Sequence, residues 1–318
     1  MAQTGTAQIP AGVNNFYVRT MLKAARPLLV YTRWAQIQDI PRNNTNVIKF
    51  RRYSLLSAKT TALTEGTTPT GSQLSITNVT GTVKQYGDYV TLTDLVSFTT
   101  LDPLITETSD VQGEQAGNTL DQLTRNVLVA GTTVQYASTA TSTDTISASM
   151  KITRDEVKEA VRTLQGNNAM KMTRMVNATD GFNTTPINAA YIGIISNSTL
   201  FDLKDEVGFI PVEEYASTRD VMDGEVGSLD DVRFVMTTNA STVAGSLTTV
   251  HRTMIIAKNF YGITRISGEA MQNIVKPIGS SGTADPLNQR GTQGWKATFV
   301  AMILNENFGL RLEHAVSS

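Results

Sequence analysis

Between Asn46 and Leu56 the chain reads NVIKFRRYSLL, a β-branched and aromatic run that carries Lys49, Arg51 and Arg52. A polar stretch rich in Thr, Gly and Pro follows (TEGTTPTGS, Thr64–Ser72), and Val83–Leu95 (VKQYGDYVTLTDL) resumes the strand pattern. Two strands about a long turn-rich tip predict an extended hairpin. The tip has almost nothing apolar with which to pack on its own subunit.

The period then changes. From Leu104 to Leu128, the residues Leu104, Ile105, Val111, Ala116, Leu120, Leu123, Val127 and Leu128 trace mostly three- and four-residue spacings, the signature of one helix stripe. Asp102-Pro103 supplies a start and Gly131 an exit, which predicts a helix of roughly 40 Å. Gly113 and Gly117 inside it predict a close contact or a bend. A second helix begins at a capping box of Thr153 and Glu156, buries Val157, Ala160, Val161 and Leu164, and ends at Gly166. Strands are predicted at Ala189–Ser196, Val232–Thr237, Thr253–Ala257 and Gln272–Lys276, with a short helix near Ser198–Val207. Trp295–Leu312 is expected to return as one strand to the layer of the long helix. Residues 1–15 read as a flexible polar arm, and Phe16–Trp34 as an irregular helix interrupted at Pro27.

Composition sharpens this picture at one point. Charged residues make up 17% of the 318, against about 25% in ordinary soluble domains. Thr, Asn, Ser and Gly fill the gap. Interface cores are depleted in Lys, Glu and Asp, so a low-charge chain of this size points to a surface covered by other subunits. The 27 basic and 28 acidic residues balance, which argues against a polyanion-condensing protein. No apolar run reaches the roughly 18 residues that a membrane helix needs. Met1–Gly12 lacks the regions of a signal peptide, so a chain made and kept in the cytoplasm is expected.

Candidate chemistry is sparse. There is no cysteine, and His251 and His314 lie far apart in sequence, so no metal site is expected. Gly279–Gly294 is glycine-rich but lacks the lysine of a phosphate loop. The carboxylate neighbours Asp205/Glu206, Glu213/Glu214 and Asp230/Asp231 read as solvated surface, and no nucleophile elbow occurs. Catalytic, cofactor and metal residues are therefore all expected to be absent. The basic patch Lys49, Arg51 and Arg52, beside Phe50 and Tyr53, could bind single-stranded nucleic acid. Its small size and the neutral net charge favour contacts between subunits instead. Lys59, Glu65 and Pro69 in the tip join it as candidate inter-subunit residues.

In order, these segments resemble a tailed-bacteriophage major capsid protein of the Hong Kong 97-type fold, an α+β fold. Within it, the chain looks like the N4-like podophage major capsid family. The resemblance rests on KFRRYSLL (Lys49–Leu56), LTEGTTPTG (Leu63–Gly71), TVKQYGDYVTLTDLV (Thr82–Val96), GEQAGNTLDQLTRNVLVAGT (Gly113–Thr132), VRFVMTTNA (Val232–Ala240) and IVKPIGSSGTADPLNQRGTQGWKATFVAMILNE (Ile274–Glu306). The third, fourth and last are the specific ones. The resemblance implies an N-terminal arm (1–45), an extended hairpin (46–95) and a peripheral domain (96–150) with a spine helix over about 103–130. It further implies a central axial α+β sub-domain (151–290) and a strand returning to the peripheral domain (291–318). Such a chain is a non-enzymatic subunit that self-assembles as hexamers and pentamers into an icosahedral virion shell in the host bacterial cytoplasm. The shell encloses double-stranded DNA without sequence-specific binding. The residues before Phe16 are too few for a built-in scaffold, so a separate scaffolding protein is implied, with portal and decoration proteins as further partners. Two rival readings are an encapsulin-type nanocompartment shell, which would hold no genome, and a soluble α+β enzyme.

Overall fold

The computed structural model describes residues 29–54, 56–99, 104–175, 187–215, 221–268, 271–280 and 285–317. Most of the expected arm, the Phe16–Pro27 part of its helix and the Asp102-Pro103 helix start lie outside them. In chain order the elements are β1 (Gln36–Ile37), β2 (Val47–Tyr53), β3 (Ile76–Thr82), β4 (Lys84–Thr93), α1 (Asp94–Thr99), α2 (Leu104–Val129), β5 (Val134–Tyr136), α3 (Arg154–Gly166) and β6 (Tyr191–Ile195). There follow α4 (Asn197–Lys204), β7 (Ile210–Pro211), β8 (Glu225–Leu229), β9 (Val232–Met236), β10 (Thr242–Ala244), β11 (Thr249–Ile256), β12 (Tyr261–Thr264), β13 (Met271–Lys276), β14 (Arg290–Ile303) and β15 (Gly309–His314).

Three sheets result. One runs β1-β12-β14-β13, with β4 on the opposite edge of β14. A second runs β5-β15-β11-β6-β9-β8-β7, with β10 beside β11. The third is the hairpin β2-β3, in register from Val47↔Thr82 to Tyr53↔Ile76. The second sheet holds the main core. β6 (YIGII) is buried at every position, as expected of a strand covered on both faces. Gly193 within it faces the Phe234 ring, which a Cβ would meet at 2.6 Å.

The helix α3 forms as its sequence dictates. The Glu156 carboxylate accepts from the Thr153 N–H and hydroxyl, and its other oxygen takes the Ser138 N–H at 2.8 Å. Val157, Ala160, Val161 and Leu164 are buried against Tyr191, Leu229 and Leu312.

The long helix α2 is present, but its buried face differs from the expected stripe. Val111 is 65% exposed, while Ser109, Gln112, Gly113, Ala116, Gly117, Leu120, Asp121, Thr124 and Leu128 are buried. That face keeps the helical period, yet it is half polar. Burial of polar groups requires partners, and most are found: Gln112 Nε2 donates to the Gln293 carbonyl at 2.7 Å and Thr124 Oγ1 to the Leu120 carbonyl at 2.9 Å, while Gln112 Oε1 is left without one. Gly113 and Gly117 lie on the buried side. At the exit, Arg311 Nη1 donates to the carbonyls of Val129 and Gly131, a cation on the negative end of the helix.

Two other expectations are corrected. The strand that closes the hairpin is β3, whereas the Val83–Leu95 run forms β4 and α1. β4 pairs with β14 over ten residues, from Thr93↔Arg290 to Lys84↔Phe299. Val83 is buried at the corner between β3 and β4 and turns the chain from one sheet into the other. The expected terminal strand is likewise two. β14 packs under α2, while β15 leaves for the second sheet and pairs with β11 and β5. Sheet pairing therefore cuts across the boundaries expected at 150 and 290. β5 and β15 lie with the central strands, and β12 and β13 lie with the spine layer.

Candidate assembly surface

The hairpin has an anchored root and a bare outer half. Ile48 and Phe50 alternate inward from β2 and pack with Ile40, Val83 and Met302, with Val79, Val300 and Leu304 around them. Alternation then leaves Lys49 and Arg51 exposed, and Arg52 is exposed because the root has ended. Every described residue from Arg51 to Asn78 is exposed. This run includes Tyr53, Leu56, Leu63, Leu74 and Ile76, the third of them 78% accessible. The expectation of an almost wholly polar tip held only for Thr64–Ser72; the flanks carry exposed apolar side chains.

Of the six candidate contact residues, Arg51 and Arg52 meet at one place. They line a cavity of about 290 Å³ with Gln36, Phe50, Asn259 and Phe308. Lys49 is exposed on β2, and Lys59, Glu65 and Pro69 are exposed on the connecting segment, none of them lining that cavity. Sequence reasoning missed a second bare surface. β4 is exposed at eight of its ten positions, with Tyr89 69% accessible. The tyrosine- and valine-rich pattern of a half-buried strand concealed this.

Among the described residues, three of the buried polar junctions bear on function. Asp121 on α2 accepts the backbone N–H groups of Val30 and Tyr31 at 2.8 and 2.7 Å and the Asn239 amide at 3.3 Å. Burial pushes its carboxyl up to about 6, against the downward pull of those three hydrogen bonds. Arg233 and Glu225 form a buried bidentate pair, both contacts at 2.6 Å, and the Tyr215 hydroxyl donates to Glu225 at 2.9 Å. Burial above all holds His314 down to about 4, with its bond to the Ala315 carbonyl opposing and His251 assisting. Each junction ties chain segments together. Among the described residues no group of three or more His, Asp or Glu is placed to hold a metal ion, and no helix is long and apolar enough to cross a membrane.

No family model matches the chain. The major capsid protein of Pseudomonas phage KPP21 is 30% identical over 124 residues, which cover 37% of this chain and 31% of that protein. The match thus spans less than a third of the relative's length. Solved structures match far more of the chain. The capsid of Ralstonia phage GP4 superposes with a TM-score of 0.68 at 12% identity, covering 89% of this chain and 87% of that one. The capsid of cyanophage Pam1 does so with a TM-score of 0.66 at 14% identity, covering 93% and 92%. The fold is the Hong Kong 97-type phage capsid fold. In this capsid fold α2 is the spine helix, and the α+β class agrees with the sequence reading. The likeness runs through both large sheets, since it covers about nine-tenths of the chain.

Proposed function

We propose that the chain is a major capsid protein of an N4-like tailed phage: a structural, non-enzymatic subunit of the virion shell. Copies assemble as hexamers and pentamers in the host cytoplasm, with a separate scaffolding protein, and enclose double-stranded DNA without reading its sequence. A portal and decoration proteins complete the particle. The observation that carries this reading is the match to phage capsids over 89% of this chain and 87% of the GP4 subunit. The exposed hairpin supplies a physical reason. Burying a side chain the size of leucine contributes about 1.5–3 kcal/mol, and Leu56, Leu63 and Leu74, 53%, 78% and 66% exposed, leave more than half of their surface uncovered by their own subunit. Lapping the hairpin onto a neighbour recovers it. In this reading Lys49, Arg51, Arg52, Lys59, Glu65 and Pro69 are contact residues, and the low charge matches a surface covered by other copies.

Co-expression with the scaffolding protein, followed by size-exclusion chromatography and electron microscopy, tests the proposal. Closed particles of megadalton mass containing DNA after packaging are expected. A small discrete oligomer would return the chain to the enzyme reading, and closed shells that never take up nucleic acid would favour a nanocompartment. The capsid likenesses weigh against both.

A further inference from the structure

The chain carries one doubly basic hollow and one doubly acidic projection, and neither is answered within the subunit. The hollow is the cavity of about 290 Å³ where the hairpin root meets the corner between β14 and β15. Among the described residues its lining holds Arg51, Arg52 and the carboxamides of Gln36, Asn259 and Asn305, and no carboxylate. Neither arginine has an ionic or hydrogen-bonding partner among those residues. Elsewhere guanidinium groups are engaged: Arg154 by Asp230, Arg233 by Glu225, Arg265 by Asp39, and Arg252 and Arg311 by Glu313. The walls of the hollow are fixed. The Leu304 and Asn305 N–H groups both donate to the Phe260 carbonyl, at 2.8 and 3.1 Å, and Phe50 is held in the root core.

The projection comes from the neighbouring carboxylates of the sequence. Two of those three pairs are used at home: Asp230 by Arg154, Asp231 by Lys171, and Glu206 by the Arg154 N–H at 3.1 Å. Glu213 and Glu214 are both exposed and have no partner among the described residues. They stand on the single turn Val212–Glu214, which follows β7 at the edge of the eight-stranded sheet. Its base is rigid, since Ile210 pairs with Ser228 and buried Tyr215 donates its hydroxyl to Glu225 at 2.9 Å. Glu107 and Glu114 on α2 are also exposed, but seven residues of helix set them about 10 Å apart along a flank. A tight turn can enter a hollow and a helix flank cannot. Resting on the shell-subunit reading above, we propose that Glu213 and Glu214 of one copy enter the Arg51/Arg52 hollow of the next copy around the ring. Two carboxylates then meet two guanidinium forks, each able to bond in bidentate fashion, and the three carboxamides supply further donors. The two sites lie on different sheets, as a head-to-tail contact requires: each copy presents one surface and receives with another, and such contacts close into rings.

Exchange of the charges tests this. Arg51→Glu with Arg52→Glu, and separately Glu213→Arg with Glu214→Arg, are each expected to abolish closed particles on co-expression with the scaffolding protein. Each dispersed variant should melt like the wild type, because all four side chains are exposed. The chain carrying all four changes is expected to assemble again, since the complementarity returns with its signs exchanged. Closed particles from either pair of changes alone would overturn the proposal, and so would a fourfold variant that melts normally and fails to assemble. Assembly lost only on reversal of the arginines would give the hollow to an anion from elsewhere, which overturns this pairing and leaves the capsid reading standing. Wild-type protein that forms no particles would bring down both readings together.

Discussion

The eight-stranded sheet and the hairpin are built from similar residues and treat them in opposite ways. Ile192, Ile194 and Val235 are wholly buried in the sheet, whereas Leu63 and Leu74 on the hairpin are among the most exposed apolar side chains of the subunit. The sheet strands are covered on both faces by α3, α2 and their loops. The hairpin strands are covered on one face, and only as far as Phe50. Apolar character alone therefore does not say where the free energy of burial is collected. In the sheet it is collected on folding; in the hairpin it is left uncollected by the subunit, and the proposed shell would collect it on assembly.

The comparison breaks first if the body does not depend on its spine. Leu120→Pro removes a helical hydrogen bond and clashes with the preceding turn, at about 3 kcal/mol or more, and deletes a buried leucine worth about 2–5 kcal/mol. Insoluble protein is expected; soluble, assembling protein would show that α2 is not the support of both sheets. Next is Arg233→Met, which strands Glu225 in the core. Breaking one side of a buried pair costs about 3–5 kcal/mol. The melting temperature of the dispersed subunit should fall steeply, and Glu225→Gln in the same chain should restore part of it.

The pH dependence sharpens the comparison, because His314 and Asp121 both lie in the body. His314 falls from its ordinary 6.5 to about 4. The unfolded chain therefore binds its proton first, and stability drops as pH falls from 6.5 to 4, by ~3 kcal/mol in the limit. Asp121 does the reverse. Its carboxyl rises to about 6, so the folded state takes up the proton first and stability is gained as pH falls from 6 towards 4. The two offset one another, and a shallow profile is expected for the wild type. Denaturant titrations across that window should show Asp121→Asn losing stability in acid and His314→Asn gaining it. Parallel profiles for all three proteins would remove both assignments.

The smallest expected effect on the subunit comes from the hairpin. Replacing Thr64–Ser72 by Asn-Gly changes loop-closure entropy only slightly, and the segment touches no core. The dispersed protein should melt within about 0.5 kcal/mol of wild type, as surface changes do, yet micrographs of the co-expression product should show no closed shells. A collapsed melting curve would place the tip in its own subunit's core.

Local signals were legible in the sequence and long-range pairings were not. The Thr153/Glu156 box, the α3 stripe and the strand Tyr191–Ile195 each declare themselves within a few residues. β3 did not, because ITNVTGT holds Asn78, Gly81 and three threonines and reads as turn. Its strand character comes from pairing with β2. The burial of Gln112 and Asp121 was equally hidden: each is justified by a partner far along the chain, Gln293 for one and Val30, Tyr31 and Asn239 for the other. As for the assembly surface, the basic cluster and the tip were visible as polar or charged exceptions. The β4 edge was not, because an unpaired edge is a property of the sheet.

β14 also has a mechanical meaning. Near one end, Val300 and Met302 grip the hairpin root, and in its middle Trp295, Ala297 and Phe299 lie under α2. A tug on the hairpin therefore pulls β14 lengthwise against β4, β12 and β13. The ladder bonds lie across that direction, so they resist in shear and must yield together, where a peeled strand would give way one bond at a time. In the proposed shell, a load taken by the hairpin would thus reach the long strand under α2 and be resisted there in shear.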